Sequence, residues 1–265
     1  MAEFYKIQKK GKSMRYLIRS IRKFIIPALI LVLLLTTAIT VFCFVTVKST
    51  AVCNRIEIWI EACDYVDFFL PLAVCLAFTP FFYFINRKGF IKYASVRAGK
   101  RRYLLTHFLA TAVCTVLVVM VSYYATLCIS LRMTPETLVT ENRLFDYVFG
   151  EYEVNHPYLF GLVWCFYKGV VATLFVLFGN LLVLYTDNLF VSVLGPFVYC
   201  MAENLITSLL NLPMYSIMTT YVLNRLSPSC MHVHNYVIGC FTYILITLGI
   251  ILIIRRRKEN VNVRN

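Results

Sequence analysis

The residues best placed to do chemistry are two charges standing inside long apolar runs, Lys168 and Glu203. A charge among lipid chains is costly alone and normally finds a partner or a wet cavity. Lys168 lies nine residues into the run 159–185, and Glu203 seven residues from the end of the run 189–210. At 1.5 Å per residue both sit roughly 10–14 Å below the same boundary. Only Thr186-Asp187-Asn188 joins the two runs, so they form a tight antiparallel hairpin. This placement predicts a Lys168–Glu203 pair, acting either as a helix clamp or as a polar step on a substrate path.

Other constellations carry less. Cys230-Met231-His232-Val233-His234 alternates three metal-type ligands, but they converge only if extended and no fourth ligand accompanies them, so it reads as a polar loop. Gly11-Lys12-Ser13 ends like a phosphate loop, yet the upstream glycine position holds Lys6 and no strand precedes it. HExxH and GxSxG signatures are absent, as is a pair of intramembrane aspartates for a protease. The sequence therefore predicts no catalytic site, no metal and no cofactor. Of the ten cysteines, Cys43, Cys75, Cys114, Cys128, Cys165, Cys200 and Cys240 fall in apolar runs, where a thiol behaves as a small apolar residue. Cys53 and Cys63 share an outer loop and are either a disulfide or two free thiols.

The elements that must position these groups follow from composition. The 265 residues are 60% hydrophobic and 15% charged, with a mean hydropathy of +0.74. Soluble domains run near 45–50% apolar and about 25% charged, so the soluble and disordered classes are excluded. Six runs, 24–47, 68–85, 104–129, 159–185, 189–210 and 236–254, reach the roughly 18 residues that read as a membrane helix. The first is longer than a signal-peptide core, and Ser49-Thr50-Ala51 is a poor cleavage site, so it reads as a retained span.

The net charge of +13 is mostly topological. Basic residues crowd before the first span, between the second and third (Arg87, Lys88, Lys92, Arg97, Lys100, Arg101, Arg102) and after the last (Arg255, Arg256, Arg257, Lys258, Arg264). Glu57, Glu61, Asp64, Glu136, Glu141, Asp146, Glu151 and Glu153 lie on the opposite side. The excess of cytoplasmic Lys and Arg puts both termini inside and gives no reason to invoke a nucleic acid. The chain reads as an all-α polytopic protein. A basic amphipathic segment (1–23) precedes a six-helix domain (24–254) and a basic tail (255–265). Thr134-Pro135-Glu136 is a helix start, and Leu138, Phe145, Val148 and Phe149 give the following loop an apolar face for the outer membrane surface. The outer loop 211–235 looks similar around Met214–Leu226.

The cytoplasmic segment 86–103 interleaves basic residues with Phe90, Ile91, Tyr93 and Val96, the pattern of a short helix lying along the membrane. Ser95-Val96-Arg97-Ala98-Gly99-Lys100-Arg101-Arg102-Tyr103, running into the third span, resembles the first cytoplasmic loop of type-2 ABC exporter permeases. The plan is similar too: six spans, cytoplasmic termini, a basic amphipathic segment at about Met14–Lys23, a tight cytoplasmic turn between spans four and five, and an outer re-entrant region near Leu226-Ser227-Pro228. The resemblance implies a coupling helix that docks on a separate ATPase subunit, which would hold the ATP and Mg. Phe90, Tyr93, Arg97, Gly99 and Arg101 would then serve ATPase contact or loop geometry. It further implies a homodimer or heterodimer of permeases in the bacterial cell membrane, exporting a peptide, lipid, glycan or drug. A secondary transporter or channel, a membrane enzyme, and a membrane scaffold or sensor are the competing classes.

Overall fold

The structure, a computed structural model, describes residues 2–49, 55–87, 99–133, 143–186 and 188–264, with side chains over 21–47, 55–87, 101–133, 144–186 and 188–256. Its helices, in chain order, are α1 (Ala2–Ser49), α2 (Arg55–Asp67), α3 (Leu70–Arg87), α4 (Lys100–Met133), α5 (Gly150–Asn155), α6 (Pro157–Thr186), α7 (Leu189–Leu209), α8 (Ile217–Tyr221) and α9 (Asn235–Arg264). Six stretches are long and apolar enough to cross a membrane: Ile21–Val47, Leu70–Arg87, Arg101–Met133, Pro157–Thr186, Leu189–Leu209 and Asn235–Arg256. The chain is an all-α polytopic membrane protein. "Outer" and "cytoplasmic" below follow the distribution of Lys and Arg.

Local chemistry sets the helix ends. Gly99, at φ +79°, occupies a left-handed conformation immediately before α4, which glycine adopts without a Cβ penalty. The Asn188 side chain accepts from the Phe190 and Val191 N–H groups and starts α7. Asn211 (φ 56°) follows the last turn of α7, and Asn224 (φ 55°) lies shortly beyond α8; asparagine is among the few residues that visit this region readily. α1 runs unbroken from Ala2 through the basic segment, so the predicted amphipathic segment and first span are one helix.

α6 is the core helix. Its most apolar window is 61% buried, against 22% for those of α1, α7 and α9. It packs against α4 along Gly161, Cys165, Gly169 and Thr173, a small residue every fourth position. Lipid supplies no hydrophobic drive between helices, so close backbone approach must supply the packing. A Cβ on Gly169 would stand 3.0–3.4 Å from the Val116 backbone, which is why glycine fits there. The buried face of α4 carries Thr111, Thr115, Ser122 and Thr126, each of whose hydroxyls donates to a carbonyl of its own helix. Polar groups that would be costly in hydrocarbon are thereby satisfied locally.

The largest departure from expectation is the segment 55–67. By composition it reads as an outer loop, whereas it folds as α2 and packs against α1 and α4. Trp59 is 1% exposed, and its indole N–H is shared between the Tyr123 carbonyl (3.2 Å) and Thr126 Oγ1 (3.3 Å). Twelve residue steps carry α2 about 18 Å along its axis, so Asp67 at its end can lie deep in the bundle. Phe68 and Phe69 form the turn that separates α2 from α3.

The reading of the outer loop 211–235 is also corrected around Ile217–Tyr221. Within 211–235 the stretch 216–223 does not lie on the surface: α8 is buried at every residue and packs against α6, α7 and α9. Leu138 and the predicted helix start at 134–136 lie outside the described residues. A 3-10 turn at Arg143–Asp146 leads into α5, with Leu144 buried and Phe149 packed on Phe160, Trp164 and Tyr236.

Candidate functional site

Asp67 ends α2, and its carboxylate is the hub of a buried polar centre. Lys168 Nζ stands 2.6 Å from Asp67 Oδ2, with the two side chains 1% and 0% exposed. The Tyr123 hydroxyl donates to Oδ1 at 2.6 Å, and Lys168 Nζ lies 4.4 Å from the centre of the Tyr123 ring. The Tyr221 hydroxyl donates to the Asp67 carbonyl at 3.3 Å, satisfying an acceptor that the helix end leaves open. One cation therefore meets a carboxylate, an aromatic face and the negative end of α2 together. Lys168 is eleven residue steps, about 16 Å, below the start of α6. The centre joins α2, α4, α6 and α8 far from water.

This replaces the predicted Lys168–Glu203 pair. Glu203 is in α7, but its carboxylate turns to the start of α8. Both oxygens lie 3.2 Å from the Ile217 N–H, and the Ser216 hydroxyl donates to Oε2 at 2.9 Å. Ser216 Oγ in turn accepts from the Met218 N–H at 3.2 Å. By the observed helix bounds Glu203 is six residue steps, about 9 Å, from the end of α7, against about 16 Å for Lys168 below the start of α6. The two charges serve opposite ends of α8, so nearness in depth on neighbouring helices is insufficient to pair them. Nearby, Arg225 donates to Asn204 Oδ1 at 2.6 Å and to Thr219 Oγ1 at 3.4 Å.

A third tie holds the region after α8. Asn224 Nδ2 donates to Glu153 Oε2 at 3.0 Å, while Glu153 Oε1 has no partner among the described residues. Glu153 is fully buried, and this burial pushes its carboxyl from the ordinary 4.5 up to about 7 despite the Asn224 bond. The folded protein then keeps a proton that the unfolded chain has released. Stability from this group is complete below about pH 4.5 and is lost as pH rises through about 7. Glu153→Gln should flatten the dependence and raise stability on the alkaline side, read as thermal unfolding in detergent at about pH 5 and pH 8. Equal slopes for the two proteins would refute this assignment.

The remaining predicted positions are scattered. Arg101 is exposed in the first turn of α4, and Gly99 has a left-handed backbone conformation. Phe90, Tyr93, Arg97 and Cys53 lie outside the described residues. Cys63 is buried on α2. His232 and His234 are exposed with their rings stacked at 5.3 Å, and Cys230 Sγ accepts from Ser227 at 3.6 Å. Among the described residues no three Cys, His, Asp or Glu side chains converge as metal ligands.

The arrangement can hold α8 in place. Glu203 and Ser216 cap its start, Tyr221 ties its end to Asp67, and Asn224 ties the following turn to α5. Sequence reasoning missed Asp67, Tyr123 and Tyr221. A signal for Asp67 was present: Glu57, Glu61 and Asp64 mark one helical face, and Asp67, one turn beyond Asp64, falls about a quarter turn off that face among Ile56, Ile60 and Cys63. No family model, no curated protein and no solved structure matches the chain at a significant level.

Proposed function

We propose that the chain is the membrane subunit of an ABC exporter in the bacterial cell membrane, working as a permease dimer and driven by ATP hydrolysed on a separate subunit. The observation that carries this reading is α8, a short buried helix between the fifth and sixth spans. It ends five residues before Leu226-Ser227-Pro228, the stretch that resembles the outer re-entrant region of type-2 permeases. Gly99, at the end of the segment 86–103, adds a backbone conformation suited to a shaped cytoplasmic loop.

The buried centre gives this reading a mechanical route. The two spans flanking 86–103 are α3 and α4. α3 begins three residues after Asp67, and α4 carries the Tyr123 that bonds it. ATPase closure on the loop would move the cytoplasmic ends of α3 and α4 and, through them, Asp67. Asp67 holds Tyr221, the last residue of α8. Inward and outward states would differ in whether α8 stays docked, and the substrate would bias that equilibrium by binding the two states unequally.

The test is co-purification with a separate ATPase subunit from the same cells, plus substrate-stimulated hydrolysis. Replacing Phe90 and Tyr93 together by alanine should weaken the complex, at roughly 25 cal/mol per Å² of lost apolar burial. Insertion should survive, since the loop's basic residues still set topology. A normal complex with this double variant would reduce 86–103 to a topological anchor. The buried Asp67–Lys168 pair favours a second reading, an ion-coupled secondary transporter. Failure of the intact protein to recover any ATPase, with transport driven by an ion gradient, would select it.

A further inference from the structure

We propose that the groove between the outer ends of α6 and α9 is a binding site for one acyl chain of an outer-leaflet phospholipid. The groove has a volume of about 390 Å³. Its rim is aliphatic: Leu159 and Val163 on α6, Val233 just before α9 and Val237 in its first turn, each more than 60% exposed. Its floor is aromatic, with Trp164 and Tyr236 each only 5% exposed beneath that rim. The Tyr167 hydroxyl is spent on the Tyr236 carbonyl, and the Trp164 indole N–H is buried with no partner among the described residues.

The occupant is set by where the groove lies. It spans Leu159 to Tyr167 on a membrane helix, eight residue steps or about 12 Å, measured from near the outer end of α6. An apolar cavity does not hold water well, because water needs several polar partners and this lining offers almost none. At this depth the abundant apolar species is the lipid chain. Its long, narrow shape suits a slot with flat aromatic walls, whereas a second copy of the protein would have to supply a protruding side chain from a helix. The mouth, at Tyr152 and His156, is exposed at the outer boundary, where a headgroup would rest. Ordinary surface lipid would touch the rim; a chain seated in the slot touches the floor.

The two tryptophans make this measurable. Trp164 is in the floor and Trp59 is sealed between α2 and α4, so Trp59→Phe and Trp164→Phe each leave one reporter. Each variant is reconstituted in phosphatidylcholine vesicles with increasing fractions of a phosphatidylcholine brominated on its chains, since bromine quenches indole only near contact. Trp164 emission should fall by about half or more in pure brominated lipid, linearly with its fraction as one site requires, while Trp59 changes by about a tenth. Val163→Phe with Val237→Phe should fill the slot and remove most of the Trp164 quenching. Should Trp59→Phe not fold, the wild-type emission with and without the filling pair gives the same comparison.

Three results would overturn the proposal: quenching of Trp164 no deeper than that of Trp59, quenching unchanged by the filling pair, or quenching that disappears as protein density in the vesicle rises. The last would assign the groove to a second copy. The proposal does not rest on the ATPase reading and survives its failure.

Discussion

Lys168→Met is expected to be among the most damaging single changes in this protein, costing about 3–5 kcal/mol of stability because it leaves the Asp67 carboxylate buried and unpaired. Asp67→Leu should cost a similar amount by stranding the Lys168 ammonium. Joining the two should recover most of the loss, since an apolar pair of similar volume at a buried site is often neutral or stabilising. The double variant retains one defect: Tyr123, fully buried, loses the acceptor of its hydroxyl, worth about 1–3 kcal/mol. Adding Tyr123→Phe should remove it. Equilibrium unfolding in mixed micelles measures each step. The same cycle with Glu203→Gln in place of Asp67→Leu tests the pairing that depth alone suggested, and it should be additive within about 0.5 kcal/mol. Strong coupling of Lys168 to Glu203, with none to Asp67, would overturn the assigned centre.

Why the spans were legible and their connections less so is visible in α2. Length and hydropathy mark a membrane helix through some twenty apolar residues in a row, and that signal places the six spans within about four residues of where they occur. α2 has no such run. Its face of Glu57, Glu61 and Asp64 breaks the hydropathy, and its proximity to the outer end of α1 makes it look like an exposed loop. What buries it is specific: Trp59 on Tyr123 and Thr126, and Asp67 against Lys168, partners 64 to 101 residues away. α8 was hidden for a related reason. Five residues are too few for a periodic pattern, and its burial depends on a complementary hollow in α9 and a cap from α7. Lys168 and Glu203 could be singled out because a charge within an apolar run stands out on its own. Their partners were harder to single out, because each lies in a segment whose local composition is ordinary, and Asp67 is marked only by its place among Ile56, Ile60 and Cys63 on α2.

The hollow in α9 is Gly239, and Gly239→Val is expected to dislodge α8. A Cβ at this position would stand 1.9 Å from Thr220 Oγ1, 2.8 Å from the Ser216 carbonyl oxygen and 3.2 Å from Ile217 Cα. The Thr220 hydroxyl can rotate away; the two backbone atoms move only if α8 moves. Overpacking of this kind costs about 1–3 kcal/mol, and a cost in the middle of that range raises the undocked population about thirtyfold. Gly239→Ala meets the same Cβ crowding with less bulk and should fall between the two. Gly249→Val is the control, because a Cβ there meets nothing within 4 Å on the same helix. The readout is trypsin added from the outer side. Arg225 is the only Lys or Arg between the fifth and sixth spans and is half-buried by its bonds to Asn204 and Thr219. Gly239→Val should yield fragments ending at Arg225 about ten or more times faster than wild type, and Gly249→Val at the wild-type rate, as expected when cleavage follows the open population. If α8 is the outer gate of a transporter, the same variant should uncouple transport while leaving ATPase association intact, since α3 ends at Arg87 and α4 begins at Lys100 at the opposite end of these helices. Equal cleavage of the two glycine variants would mean that α8 is not held by α9, and the gate would have to be sought elsewhere.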